Sequence, residues 1–359
     1  MARELHYLPR VDRGELLRLD QAGLFCPAAG VYIDPWRPQR GVPSIITHAH
    51  SDHARVGAGR YLAAREGAEL LRLRLGSKVD LTTYGYGETF VLNPDGTQSV
   101  EGTFFPAGHV LGSAQIRLRS TGYPTTVVTG DFKRDQDPSC RPFEPVQCDT
   151  LIMEATFGLP VYRWPAVQEV VGDILQWKRE TGDRPLVLFT YALGKAQRLM
   201  MEISRHPDWP RITPILCHGA VATVNQAYER SGVVLPPWEP VAHRRGADLR
   251  GALILAPPSA HRSSWMKRMT DPATAFVSGW MAVRGNRRRR GYERGFVLSD
   301  HADWAGLVAT VRESGARRVF ATHGQDDAFA RYVQEEEGIR ADSLSALAEG
   351  GEQRWDDAP

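Results

Sequence analysis

Short apolar, β-branched runs punctuate this chain, and polar residues follow several of them at once. The runs lie at Ile45-Ile46, 125–129, Leu151-Ile152-Met153, 186–189, 252–256, 275–278 and 318–321. Runs of this length bounded by turn residues read as buried strands. Helical spacing appears between several of them. Trp304, Leu307, Val308 and Val311 follow the i, i+3, i+4, i+7 order of one buried helical face. Alternation of the two patterns predicts the α/β class. Proline-rich corners at 159–165, 235–237 and 257–258 interrupt the middle of the chain, and they are candidate joints between a first domain and an insertion. The length of 359 residues also exceeds what one core usually serves, which predicts two domains or one large insertion.

Composition narrows the class without naming a chemistry. The chain is 42% hydrophobic and 24% charged, as soluble globular proteins are. The first ten residues lack the apolar core of a signal peptide. No apolar run approaches the ~20 residues needed to span a bilayer, so no membrane partner is expected. Cys26, Cys140, Cys148 and Cys217 are widely spaced with no Cys-x-x-Cys pair. That spacing fits reduced thiols in a cytoplasm better than a disulfide framework or a thiolate zinc site. The net charge of +2 singles out no partner. Its distribution is less even: Arg284, Arg287, Arg288, Arg289, Arg290 and Arg294 fall close together, and acidic residues gather at 335–337 and 356–357. A run of arginines is either a solvated face or a grip on phosphates, to which each guanidinium offers a fork of donors.

The candidate chemistry concentrates in His48-Ala49-His50-Ser51-Asp52-His53. Imidazole and carboxylate are ligands that zinc and similar divalent metals accept. The preceding Ser44-Ile45-Ile46-Thr47 reads as a buried strand, so the ligands sit where a strand ends. Alternate side chains of an extended segment face the same way, and His48 and His50 can therefore share one metal. Asp52 and His53, past the bend, can address a second. A polar loop of solvated histidines is the plain alternative.

Four more positions repeat this setting of apolar strand, then polar residue: Gly108-His109, Gly130-Asp131, Asp300-His301 and His323-Gly324. Functional side chains of α/β folds gather at the carboxyl ends of strands, and glycine lets backbone approach a crowded site. Alone, His109 or His323 is more simply a turn histidine, and Asp131 a cap or turn residue. Their joint occurrence puts six of the 11 histidines in one structural setting.

His-x-His-x-Asp-His, then Gly-His, then Gly-Asp, resembles the metallo-β-lactamase superfamily. Residues 109–113 (His-Val-Leu-Gly-Ser), 191–197 (Tyr-Ala-Leu-Gly-Lys-Ala-Gln), Glu154, His301 and His323 resemble its β-CASP nucleic-acid-processing branch. Stretches at 23–27, 32–36, 157–165, 255–259, 278–281 and 295–304 resemble the bacterial ligase-associated DNA exonucleases. The resemblance implies an αββα sandwich of metallo-β-lactamase type, residues 1–167 and 291–359, with an inserted α/β β-CASP domain at 168–290. It implies two divalent metal ions, zinc first and manganese as the alternative. His48, His50 and His109 would hold one, Asp52, His53 and His323 the other, and Asp131 would bridge them. Two such ions ~3.5–4 Å apart suit phosphodiester hydrolysis, and metal coordination can bring a water's pKa from ~15.7 to near 7. By the same resemblance His301 contacts the scissile phosphate and protonates the leaving oxygen, a task suited to a pKa near ~6.5. Glu154 would orient and charge His301. Asp34 would bond a motif histidine and fix its tautomer. Lys195 and the arginines at 287–290 would meet phosphates.

The implied activity is a DNA exonuclease, directed to 5′ ends and favouring single strands, in DNA repair beside a DNA ligase and a helicase. Three alternatives stand against it. An RNA-processing β-CASP ribonuclease is the first, because enzymes of that kind carry a histidine where His323 stands. The second is a catalytically dead nucleic-acid-binding scaffold, against which all seven ligand positions are filled. The third is a thioester or β-lactam hydrolase, against which Glu154, His301 and His323 speak.

Overall fold

The computed structural model describes residues 14–93, 98–210, 213–283 and 291–344. It is a mixed α/β structure with three sheets. The described residues separate into two units, one within 14–136, 141–160 and 301–344, the other within 137–140 and 161–300. The arginines expected to meet phosphates, Arg287, Arg288, Arg289 and Arg290, lie outside the described residues.

In the first unit, the opening sheet runs in chain order: β1 (Arg18–Asp20), β2 (Gly23–Cys26), β3 (Val31–Ile33), β4 (Pro43–Ile46), β5 (Arg60–Ala64) and β6 (Leu81–Tyr84). Strand β4 is flanked by parallel partners on both sides. Its Ile45 and Ile46 are fully buried, as the apolar run requires. A helix, α1 (Ala68–Leu75), lies between β5 and β6 in the chain. A second sheet begins with β7 (Thr89–Val91), β8 (Glu101–Pro106), β9 (Ala114–Arg119), β10 (Thr126–Val128) and β11 (Thr150–Glu154).

The second unit supplies α2 (Val167–Thr181), β12 (Leu186–Phe189), α3 (Lys195–Arg205), β13 (Ile215–Cys217), α4 (Gly219–Arg230), β14 (Trp238–Pro240), β15 (Leu253–Ala256), β16 (Ala273–Val277) and β17 (Arg294–Phe296). Its six strands pair in parallel throughout, in the order β14-β13-β15-β12-β16-β17. Alternate residues of the central strands feed two cores. Leu186 and Leu188 pack with helices α2 and α3, and Val187 and Phe189 pack on the other face. A parallel sheet covered on both faces needs continuous apolar strands, which is why 186–189 and 252–256 stand out in the sequence.

The chain then adds α5 (Trp304–Ser314), β18 (Arg318–Thr322), α6 (Asp326–Glu336) and β19 (Arg340–Ser343) to the first unit. Strand β18 enters the second sheet beside β11, in parallel, with Glu154 opposite Thr322. One core of this unit draws Ile33, Ile45 and Leu62 from the first sheet and Ile116, Val128 and Ile152 from the second. The other packs Leu151, Met153 and Ala321 against Leu307, Val311 and Phe329 of α5 and α6. No helix among the described residues is long and apolar enough to cross a membrane.

Candidate metal centre

Strands of the first unit deliver the site, each with its last residue or the turn after it. Asp34 follows β3, His48 follows β4, His109 follows β8, Asp131 follows β10 and His323 follows β18, while Glu154 is the last residue of β11. The turns are tight. A side chain on Gly108 would stand 2.4 Å from the Lys133 carbonyl oxygen, and one on Gly324 would stand 2.4 Å from the Thr156 backbone. Both glycines have positive φ, so no other residue meets the space and the dihedral together.

Around Asp131 the side chains converge. His48 Nε2 lies 3.0 Å from His50 Nδ1, and His109 Nε2 lies 3.0 Å from the same atom. Asp131 Oδ2 is 3.5 Å from His48 Nε2 and 3.7 Å from His109 Nε2. One ligand atom from each of these four residues falls within 4.8 Å of the others. The other carboxylate oxygen, Oδ1, is 3.5 Å from His53 Nε2, and Asp52 Oδ2 is 3.7 Å from that nitrogen. The His323 ring stacks on the His53 ring with centroids 5.4 Å apart.

Ring nitrogens and carboxylate oxygens gathered this closely form a donor set that a cation between them would satisfy. His53 Nε2 makes the case most sharply. It is buried with no hydrogen-bond partner among the described residues, and a buried polar atom of this kind is costly unless something else satisfies it. The donor set of imidazoles and carboxylates fits a divalent metal of the zinc or manganese kind.

The electrostatics divide the histidines. Burial, together with the neighbouring His53, holds His48 well below the usual histidine range, so it is neutral and ready to ligate. Burial would lower His53 too, but Asp131, Asp52 and Asp34 together hold it well above that range. Burial would raise Asp131, yet His53 and His301 hold it well below the usual carboxylate range.

Beside this cluster, both oxygens of Glu154 lie 2.9 Å from His301 Nδ1. Glu154 Oε1 also accepts the Phe132 N–H at 2.8 Å, and the Phe132 carbonyl accepts from the Ala302 N–H at 2.7 Å. The backbone next to Asp131 thus ties Glu154 and the His301 segment to one place. Asp131, Glu154 and His301 can also bring one atom each within 4.8 Å of the others, but Glu154 is committed to these hydrogen bonds. Asp34, at positive φ, accepts His53 Nδ1–H at 2.8 Å and the Thr47 N–H at 2.8 Å.

No family model matches the chain. A "Probable DNA ligase" of Opitutus terrae is 32% identical over 315 residues, 87% of this chain and 30% of that protein. An "Endoribonuclease ysh1" of Aspergillus fumigatus is 34% identical over 155 residues, 40% of this chain and 17% of that protein. The chain therefore spans less than a third of the length of either relative. The motif set and these relatives agree. The chain belongs to the metallo-β-lactamase/β-CASP nuclease family. A crystal structure of a protein of unknown function from Enterococcus faecalis shares the fold alone, with a TM-score of 0.52 at 11% identity over 78% of this chain and 75% of that one.

In this β-CASP chain, the structure brings His48, His50, His53, His109, Asp131 and His323 together with Asp34, Glu154 and His301. Asp52 stands at the rim, its side chain 55% exposed. Lys195 belongs to the second unit and is buried there. Its Nζ is 3.5 Å from Asp300 Oδ2 and 4.6 Å from the centre of the Tyr191 ring, so a phosphate contact would have to exchange that ion pair. Sequence reasoning overlooked Thr47 and the backbone of Phe132. The sequence signals Thr47 only by its place before His48, and nothing in it signals Phe132, since a backbone group is independent of residue type.

Proposed function

We propose that the chain is a two-metal phosphodiesterase that degrades DNA from its ends, 5′ ends and single strands first. The observation that carries the reading is the placement of Asp131. One of its oxygens faces His48 and His109 and the other faces His53, so this one carboxylate could serve both ligand groups. In this reading His48, His50 and His109 would hold one ion, and Asp52, His53 and His323 would hold the second. The first unit would be the αββα sandwich and the second the β-CASP insertion, whose expected end at 290 moves later because β17 (Arg294–Phe296) pairs with β16 in the sheet of the second unit.

Bound zinc or manganese would supply positive charge against the transition state and an activated water. The protein supplies the rest. Asp131 sets the spacing of the two ligand groups. Glu154 fixes the His301 ring by accepting its Nδ1–H with both oxygens. Nε2 then remains to give a proton to the departing oxygen. Phosphate contacts by Lys195 and by Arg287, Arg288, Arg289 and Arg290 would add affinity without sequence preference.

The relatives divide over substrate. The Opitutus terrae protein is named a DNA ligase and matches 87% of this chain, which supports DNA and a place beside a ligase. The Aspergillus fumigatus protein is named an endoribonuclease, and His323 favours this second reading. Digestion of 5′- and 3′-labelled single-stranded and duplex DNA, with matched RNA alongside and Zn²⁺ or Mn²⁺ added, separates them. Release of mononucleotides from a DNA 5′ end is expected. Cleavage of RNA with DNA untouched would establish the second reading instead. Absence of bound metal and of any cleavage would leave a nucleic-acid-binding scaffold.

A further inference from the structure

Thr47 has no role in the reading above, yet it is 1% exposed and stands between the two ligand groups. Its hydroxyl lies 2.5 Å from Asp34 Oδ2 and 3.1 Å from His48 Nδ1. An ionised carboxylate can only accept, so the single hydroxyl proton goes to Asp34. The oxygen is left to accept, and His48 must then carry its proton on Nδ1. That places the His48 lone pair on Nε2, the atom that faces His50 and Asp131. The same Asp34 oxygen accepts Nδ1–H of His53, and the His53 Nε2 atom faces Asp131 in turn.

We propose that Thr47 is a positioning residue that extends the Asp34 carboxylate to His48, so that one acid sets the tautomers of histidines serving both metal positions. The inference rests on the ligand assignment proposed above. Two features of the fold hold Thr47 in this place. Its carbonyl accepts the Ala114 N–H at 2.9 Å, and its own N–H is held by Asp34 Oδ1. Gly130 gives it room: a side chain there would lie 2.5 Å from Thr47 Oγ1 and 2.6 Å from Thr47 Cβ. The glycine beside Asp131 is thus required by the hydroxyl behind His48 as well as by its own positive φ.

The test compares Thr47→Ser, which keeps the hydroxyl, with Thr47→Val, which keeps the shape. Thr47→Ala serves as a second hydroxyl-free variant if the valine protein does not fold. In the metal-free full chain, long-range ¹H–¹⁵N spectra of labelled histidine are expected to show His48 as the Nδ1–H form in the wild type and Thr47→Ser. A mixture or the Nε2–H form is expected in Thr47→Val. Zn²⁺ titration against a chelating indicator is expected to show one of two sites weakened by about ten- to a hundredfold in Thr47→Val, with recovery in Thr47→Ser. Unchanged tautomer and unchanged Zn²⁺ affinity in the hydroxyl-free variants would overturn the proposal. Should the wild type bind no Zn²⁺, the ligand assignment fails, and the metal-free spectra still decide whether Thr47 sets the tautomer.

Discussion

At the scale of single residues, the proposed reading divides the work between Asp131 and His301. If His301 is the proton donor, His301→Ala removes it and leaves the residues proposed to hold metal in place, so cleavage should fall by about 10²- to 10⁴-fold while metal content, measured by elemental analysis, stays at the wild-type level. Loss of metal in this variant would mean that His301 is a ligand. Asp131 is better tested without metal. Held low by His53 and His301, its carboxylate contributes stability that is present above ~3.9 and lost as pH falls through its folded value. His53, held high, contributes stability that is present below ~6.5 and lost as pH rises through its folded value. The stability difference between wild type and Asp131→Asn, both treated with chelator, should therefore be largest between about pH 3.9 and 6.5 and shrink on either side. Urea melts across that range measure it, and a flat difference would show that the pair carries no such coupling. The candidate histidines were legible in the sequence because histidine is rare in this chain, 11 in all, and six of them follow apolar runs. Thr47 was not, because its second role exists only once Asp34 and Gly130 close around it.

At the scale of elements, the helix after His301 shows what periodicity can and cannot supply. The spacing of Trp304, Leu307, Val308 and Val311 predicts a buried face, and α5 buries Leu307 and Val311 completely. Asp303 caps its start by accepting the Gly306 N–H at 2.8 Å, and Gly315 ends it in the left-handed region. Leu307→Ala should cost about 2–5 kcal/mol and Asp303→Ala about 1 kcal/mol, read as shifts in the urea midpoint. Equal costs would mean that the cap, two residues past His301, holds as much of the segment as the core contact does. Strands were legible where both faces are covered, as at 186–189 and 252–256. Short strands such as β1 and β6, with no fully buried residue, left no apolar run to find. The order β19-β18-β11-β10-β9-β8-β7 was not legible either. It depends on residues 318–322 pairing with residues 150–154 across a long insertion, and no local pattern encodes such a pairing.

At the scale of the whole molecule, the proposed reading turns on charge. A net charge of +2 cannot steer a polyanion by itself, so affinity for nucleic acid has to come from local concentrations of positive charge. The sequence offers one at Arg287, Arg288, Arg289 and Arg290. If these residues meet the backbone of a single strand, each phosphate no longer neutralised should lower the slope of log K against log salt by about 0.7. Replacing all four with glutamine should then weaken binding at low salt far more than at high salt, and equally for every sequence, because phosphates carry no base identity. The measurement is fluorescence anisotropy of labelled single-stranded DNA, in chelator so that cleavage does not interfere, over a salt series. Matched RNA in the same series should give a parallel drop in affinity, which separates a grip on phosphates from a choice of sugar. An unchanged slope would make the run a solvated face, and substrate affinity would then have to reside in the metal centre and the residues around it.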